Sequence, residues 1–280
     1  MAAGARVPLS PGGARQTTGA GPLRFVATLL FVLAVPVLLL TTNIRIAFNL
    51  PQLYDYSVRQ YDAADRSGIP QEELLRANRE IVRYFNDDRE TLRIVVTDRT
   101  GARVSLFTPR ETAHMADVKS LLWKLFRVQE AALAYVLVFI VAVYVWAREG
   151  SLRDLARAAL QAAVLTVGIV VGVGVAAAAG FDRLWEQLHV LVFPNDFWLL
   201  DPREHHLIQM FPEEFWLEMV LLLGLVTLAE ATLLALLAGG YLWWSRPEGA
   251  PARQRYVFNL ATRARPLPRP WRARPGAPRG

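Results

Sequence analysis

Hydrophobic positions in this 280-residue chain gather into four long continuous runs instead of recurring at short intervals. The runs cover residues 24–43, 128–146, 160–179 and 217–244. Each is close to the ~20 residues that an α-helix needs to cross the hydrocarbon of a bilayer. The pattern predicts an all-α polytopic membrane protein with four transmembrane (TM) helices, and a soluble globular domain would not be patterned in this way.

Arginine placement orients these helices, because short cytoplasmic loops carry an excess of Lys and Arg. Basic residues precede the first run, separate the second from the third, and follow the fourth. Both termini are therefore expected in the cytoplasm. The predicted order is a cytoplasmic basic tail 1–23, TM1 24–43, an extracytoplasmic segment 44–127, TM2 128–146, a cytoplasmic loop 147–159, TM3 160–179, an extracytoplasmic helical loop 180–216, TM4 217–244 and a disordered cytoplasmic Arg/Pro-rich tail 245–280.

Net charge and cysteine content limit the partners and the reactions that this chain can have. The net charge of +6 lies mainly in short cytoplasmic segments, where it faces anionic lipid, so we expect no nucleic-acid partner. The chain has no cysteine, which excludes disulfides, thiolate metal ligands and a cysteine nucleophile.

The first outer segment has the pattern of a small α+β cap. Apolar residues follow helical spacing within Pro70–Phe85, and Leu92–Thr97 and Ala102–Phe107 resemble two strands of a hairpin. A helix then begins at Thr108, whose hydroxyl caps it while Glu111 reaches back from the third position, forming a capping box.

His114 and Asp117 follow on that helix and share a face, because they are three residues apart. Asp117 is placed to orient the imidazole or to raise its basicity. Taken alone, the pair is also typical of a polar histidine on a solvated interfacial helix.

The second outer segment has a comparable layout. Asp182, Trp185 and His189 recur at helical spacing, and turn-forming residues break the helix at 194–196. A new helix is predicted from Asp201, which acts as its N-cap. The tryptophans are expected to be interfacial anchors: Trp185, Trp198 and Trp216.

Three blocks in these segments resemble a bacterial integral membrane family, long catalogued as a domain of unknown function, that includes the lipoprotein intramolecular transacylases. The blocks are His114–Lys119 (HMADVK), Leu188–Pro202 (LHVLVFPNDFWLLDP) and Leu207–Phe215 (LIQMFPEEF). The resemblance covers about residues 24–244 and so includes all four spans. The chain departs from the family pattern at His205, where an acidic residue is expected, and in its Arg/Pro-rich tail.

The resemblance implies a multi-pass protein of the bacterial cell membrane. It implies transfer of the sn-2 acyl chain of a diacylglyceryl-cysteine lipoprotein to that cysteine's own amine, with the diacylated lipoprotein as substrate and membrane lipid as surroundings. The matching catalytic histidines are His114 and His189, and no cofactor or metal is required. The supporting residues are Asp117, Asn195, Asp196 and Trp198.

Histidine suits this reaction on independent grounds. An α-amine has a pKa near ~8 and is mostly protonated at neutral pH, so its attack on an ester needs a base. We hypothesise that one histidine is the base and the other the acid, with the Asn195 amide or backbone N–H groups holding the oxyanion. Which histidine has which role stays open at this point.

Two other classes of function remain. Paired histidines ligate iron and other transition metals, which would make this a haem or metal protein. However, His114 and His189 lie outside the apolar runs, and the adjacent His205 and His206 would face about 100° apart on a helix. The other alternative is a non-catalytic assembly or sensor protein, which predicts that the histidines are replaceable.

A glutamate in the fourth apolar run and the small residues of the third are expected to contribute to contacts between the helices. Glu230 falls near the middle of the fourth run, where an ionised carboxylate costs at least ~2.5 kcal/mol, so we expect packing or a buried hydrogen bond there. The small residues of the third run, including Gly168, Gly172 and Gly174, predict close helix packing in preference to a groove for acyl chains.

Overall fold

The computed structural model of the protein describes residues 20–145 and 150–246. The remaining parts of the predicted tails, 1–19 and 247–280, and residues 146–149 lie outside this description. In chain order the elements are α1 (Ala20–Phe48), α2 (Pro51–Gln60), α3 (Ala63–Ser67), α4 (Gln71–Asn86), β1 (Val95–Thr97), β2 (Arg103–Ser105), α5 (Pro109–Val145), α6 (Gly150–Val192), α7 (His206–Met210) and α8 (Glu213–Trp244).

Four helices, α1, α5, α6 and α8, are long and apolar enough to cross a membrane. The predicted mostly helical membrane fold is therefore confirmed. With 37 residues in α5 and 43 in α6, both are about twice as long as the ~30 Å of hydrocarbon requires. The ends that adjoin the predicted outer segments contain the charged residues Lys119, Lys124 and Arg127 in α5, and Asp182, Arg183 and Glu186 in α6.

The outer part of α6 is set apart by a break at Gly180, where φ is 159° and ψ is 91°. Helical geometry resumes beyond it and continues to Val192. His189 therefore lies on a separate outer piece of α6, and His114 lies within the first two turns of α5, before the apolar stretch begins.

The cap contains the predicted helix and hairpin. Helix α4 occupies the predicted position, and β1 pairs with β2 in antiparallel fashion with Val96 opposite Val104, although each strand has only three residues. The capping box is also present. The Thr108 hydroxyl accepts the Glu111 N–H at 3.3 Å, and Glu111 Oε2 accepts the Thr108 N–H at 2.7 Å.

A single hydrophobic core joins the cap to the outer ends of the long helices. Leu74 and Tyr84 of α4 and Leu106 of the hairpin are fully buried, and they share this core with Met115 of α5 and Phe215 of α8. Because both outer segments contribute to one core, the cap is held in a defined position over the helices.

The second outer segment differs from its prediction between Asp201 and Met210. The predicted helix from Asp201 stops after one turn, because His205 is extended (φ −108°, ψ 118°) and α7 begins only at His206. That extended residue lets His206 Nδ1 contact the Leu106 carbonyl and lets Leu207 donate its N–H to Glu111 Oε1 at 2.7 Å. Tertiary contacts therefore override the local start signal.

Within the spans, Asn43 of α1 donates to Thr227 Oγ1 at 3.0 Å and to Glu230 Oε2 at 2.9 Å, both on α8. Of the two roles expected for Glu230, packing or a buried hydrogen bond, the structure shows a hydrogen bond that is partly buried. The expected role of the glycines is wrong, because in the described chain a Cβ added at Gly168, Gly172 or Gly174 would meet nothing within 4 Å.

Candidate functional site

The two histidines singled out by the sequence meet in the structure. Their ring centroids are 6.0 Å apart and their planes are inclined by 36°. His114 comes from the first outer segment and His189 from the second, so the two segments meet here, as a joint acid–base role of the two histidines requires.

His189 is oriented by its own helix. Its Nδ1 lies 2.7 Å from the carbonyl oxygen of Trp185, one turn earlier. A carbonyl oxygen only accepts hydrogen bonds, so Nδ1 carries the proton in this contact and the neutral ring keeps its lone pair on Nε2. A basic nitrogen is thereby held in a fixed direction.

Aromatic rings surround His189. The ring of Trp185 lies 4.7 Å away in an edge-to-face arrangement, that of Trp198 lies 5.2 Å away, and that of Phe193 lies 5.6 Å away. Two of the tryptophans expected to be interfacial anchors therefore pack against the histidine. Trp216, the third, stacks on Trp185 at 5.2 Å.

His114 is more deeply buried, with 8% of its surface exposed. Phe193 covers it in an edge-to-face contact at 5.1 Å. Its Nδ1 is buried and has no hydrogen-bond partner among the described residues. A buried polar nitrogen without a partner is costly, so this atom is a candidate to bind a polar group of a substrate.

Burial shifts the pKa of both imidazoles, which lie outside the apolar runs 128–146 and 160–179. It lowers the pKa of His114 to about 4, with the neighbouring His189 adding to the effect and the charge of Asp117 opposing it. It also lowers the pKa of His189, while the hydrogen bond to Trp185 works in the other direction. Both histidines are therefore neutral at physiological pH.

Asp117 does not orient His114 by a hydrogen bond. Its Oδ2 accepts the Asn195 side-chain amide at 2.9 Å, which ties α5 to the second outer segment. The Asn195 amide was one of two candidates to hold the oxyanion, beside backbone N–H groups, and one of its N–H donors is engaged by Asp117.

Asn195 also organises the turn that follows it. Its Oδ1 accepts the Phe197 N–H at 3.1 Å, and its backbone carbonyl accepts the Trp198 indole N–H at 2.9 Å. The turn thereby presents the Trp198 ring to His189. The carboxylate of Asp196, which is largely exposed, lies 3.5 Å from Arg110.

The other two histidines have backbone partners. His205 Nδ1 lies 3.0 Å from the backbone nitrogen of Asp201, and His206 Nδ1 contacts the carbonyl of Leu106. Within residues 20–145 and 150–246, no three His, Cys, Asp or Glu side chains are grouped to hold a metal ion.

Arg110 was not predicted to contact the second outer segment, and Glu111 was predicted only to cap α5. Glu111 is fully buried, and it accepts one N–H from each outer segment, those of Thr108 and Leu207. The signal for Arg110 was its helical spacing, since it precedes His114 by four residues on the same face.

A family model described as lipoprotein intramolecular transacylase Lit matches residues 29–216, which include both histidines and most of the described chain. The chain belongs to the Lit family. It is accordingly a membrane acyltransferase of the lipoprotein transacylase type, and the family resemblance drawn from the three sequence blocks is confirmed. No curated protein matches the chain in a sequence search.

Solved structures show the same fold as this Lit family member. The chain is 20% identical to the membrane-integral lipoprotein intramolecular transacylase Lit of Bacillus cereus, with a TM-score of 0.67 over 80% of this chain and 97% of that one. A histidine-to-alanine variant of that enzyme is 19% identical, with a TM-score of 0.63 over 80% and 96%. A histidine-to-arginine variant is 20% identical, with a TM-score of 0.62 over 80% and 94%.

Proposed function

We propose that the protein moves the sn-2 acyl chain of a diacylglyceryl-modified N-terminal cysteine to that cysteine's own α-amino group, leaving a lyso-form lipoprotein. Membership of the Lit family supports acyl transfer on a lipoprotein. The observation that carries the site assignment is the pair His114 and His189, 6.0 Å apart at the junction of the two outer segments.

His189 is the base in this proposal. The contact between its Nδ1 and the Trp185 carbonyl directs the lone pair of Nε2 outward. That nitrogen removes a proton from the α-amine as the amine nitrogen attacks the ester carbonyl carbon. The same contact to Trp185 stabilises the imidazolium that forms, because the carbonyl accepts from Nδ1 in both protonation states.

The proton then returns to the substrate. When the tetrahedral intermediate collapses, the bond between the carbonyl carbon and the sn-2 oxygen breaks, and the imidazolium of His189 protonates that oxygen. An amide and a free hydroxyl are formed, and His189 is neutral again. No covalent enzyme intermediate is needed, because amine and ester belong to one molecule and their proximity replaces it.

His114 contributes as a neutral donor. With its pKa lowered to about 4 by burial, it is a weak base and holds few protons at neutral pH. Its imidazole N–H can donate to the carbonyl oxygen as negative charge develops there, where a fixed donor in a dry site is most effective. This proposal differs from the hypothesis drawn from the sequence, because His189 serves as both base and acid and His114 serves as a donor to the oxyanion.

The supporting residues hold the second outer segment against the histidines. Asp117 fixes Asn195, and Asn195 in turn fixes the indole of Trp198. Trp198 limits the access of water to His189, which favours amine attack over hydrolysis. Asp196 contributes through its position beside Arg110.

The test is tandem mass spectrometry of lipoprotein N-termini from bacteria that lack the activity and express this protein. The transfer leaves the total mass unchanged, so fragmentation must distinguish an N-acylated cysteine from a diacylglyceryl cysteine with a free amine. We expect N-acylated fragments with the natural sequence, and none with His189→Ala.

His114→Gln keeps a side-chain amide N–H and should retain more activity than His114→Ala, since the proposed role is donation. Unmodified amines with the natural sequence, or full activity in His189→Ala cells, would contradict the proposal. A rate that does not rise with pH towards the amine pKa of ~8 would contradict the basic step.

We also propose that both termini lie in the cytoplasm and that the cap and site face the outside. The Arg-rich segments at residues 148–157, which follow α5, and at the ends of the chain support this orientation. The ester would then be reached from the outer leaflet of the cell membrane, whose lipid surrounds the apolar surfaces of α1, α5, α6 and α8.

A further inference from the structure

Arg110, in the first turn of α5, holds the turn that carries Trp198. Its Nε donates to the Leu199 carbonyl at 3.2 Å, its Nη2 donates to the Asp196 carbonyl, and Nη2 lies 3.5 Å from the Asp196 carboxylate. One guanidinium therefore contacts the chain on both sides of Trp198. A planar group with several donors in fixed directions is suited to such a double contact, whereas an ammonium is not.

Arg110 lies on the same face of α5 as His114, so its contact to the turn is next to the candidate site. Arg110, His114 and Asp117 are separated by four and three residues, so they share one face of the helix. Arg110 and Asp117 both bind the segment 195–199, and His114 faces His189 between them. The turn is therefore held on both sides of the histidine.

We propose that Arg110 is a positioning residue for acyl transfer, acting through the 195–199 turn on the contact between Trp198 and His189. The indole of Trp198 lies 5.2 Å from the His189 ring, and its own N–H is bonded inside the turn, to Asn195. The external contacts at Arg110 and Asp117 then set where the indole lies. This inference rests on the proposed function, because it concerns the same site.

The experiment compares Arg110→Gln and Arg110→Lys with Arg127→Gln, a control that removes an exposed arginine from the same helix. Purified proteins are assayed in micelles with a synthetic diacylglyceryl-cysteine peptide. We expect both Arg110 variants to lose kcat by roughly 10- to 100-fold, as small misplacements of catalytic groups do, with KM little changed. Arg127→Gln should keep the natural rate.

A double-mutant cycle with Trp198→Ala separates positioning from a general loss of folding. If Arg110 acts through Trp198, then Arg110→Gln should slow the Trp198→Ala enzyme less than twofold. Asp196→Asn keeps both carbonyl contacts to Arg110 and removes only an exposed ion pair, so it should lower kcat less than Arg110→Gln does. Multiplicative losses in the cycle would overturn the proposal.

Hydrogen exchange of the turn supplies a readout that does not depend on activity. Arg110→Gln should raise exchange at the amides of 197–199, where Phe197 and Leu199 are hydrogen-bonded inside the turn, and leave the α4 amides unchanged. Unchanged exchange in the turn would overturn the inference even if the natural protein proved inactive. An inactive natural protein with the expected exchange would contradict only the proposed function.

Discussion

The buried carboxylate of Glu111 should be the strongest single tie between the two outer segments. Its side chain is fully buried, Oε2 accepts the Thr108 N–H at 2.7 Å, and Oε1 accepts the Leu207 N–H at 2.7 Å. The first bond closes the capping box of α5, and the second fixes the start of α7. Replacing Glu111 therefore tests how the cap holds the site, since His114 lies less than one turn further along α5.

The magnitude follows from the two bonds. A hydrogen bond to a charged group contributes about 1.5–3 kcal/mol, and a buried partner left unsatisfied adds to the loss. Glu111→Gln keeps one acceptor oxygen, so it should lower the free energy of unfolding by about 1.5–3 kcal/mol. Glu111→Ala removes both acceptors and should cost about 3–6 kcal/mol.

Unfolding is best measured in detergent micelles, by far-UV circular dichroism during denaturant titration, with transacylation assayed on the same samples. Glu186→Gln, which changes an exposed glutamate on α6, is the matched control and should shift stability by less than about 0.5 kcal/mol. If Glu111→Ala were as stable as this control, the carboxylate would not be a tie between the segments. If Glu111→Gln were no more stable than Glu111→Ala, the count of two bonds would be wrong.

Three further predictions follow from protonation, topology and the spans. Burial lowers the pKa of His114 from 6.5 to about 4, so as the pH falls the unfolded chain is protonated at this histidine before the folded chain is. Stability should therefore fall between pH 6.5 and about pH 4, and His114→Gln should remove this part of the pH dependence. Equal pH profiles of thermal unfolding for the natural protein and His114→Gln would refute this. The chain has no cysteine, so a single cysteine introduced at Thr100 or Asp154 can be labelled specifically. The Thr100→Cys variant should react with a membrane-impermeant maleimide in spheroplasts, and the Asp154→Cys variant only after lysis; the reverse result would invert the topology. Asn43→Leu should lower stability by about 0.6–1.7 kcal/mol without changing kcat, because its bond to Glu230 joins α1 to α8 and neither residue is among the partners of His114 or His189. A large loss of kcat would assign that bond to catalysis.

Sequence patterns predicted the structure correctly where an element is stabilised by residues close to one another in the chain. Apolar runs predicted the crossing helices, because only a helix satisfies its own backbone in hydrocarbon. The sequence also predicted the capping box at Thr108 and Glu111 and the hairpin, because each depends on residues close together in the chain. The turn between the two strands contains Gly101, which has φ 86°.

Sequence patterns failed where a side chain or backbone group forms a hydrogen bond with the other outer segment instead of with its neighbours in the chain. Asp201, Pro202 and Glu204 form a proper helix start, yet the helix stops because His206 and Leu207 bind Leu106 and Glu111 instead. Asp117 was matched to His114 by spacing along the helix, but an amide from a residue 78 positions away reaches it. Such partners become visible only when both segments are placed together.

The candidate site was predictable from the sequence only in part. Topology puts both outer segments on one side of the membrane, and this alone makes a meeting of His114 and His189 possible. What brings the rings to 6.0 Å is a register between α5 and the second segment. Arg110 and Asp117 bind the second segment on either side of His114. Because these two contacts lie at different positions along one face of α5, they fix both the rotation of the second segment about α5 and its position along the helix axis. Because the register depends on pairs of residues far apart in sequence, periodicity along α5 predicts which side chains share a face, and only the folded chain shows what they bind.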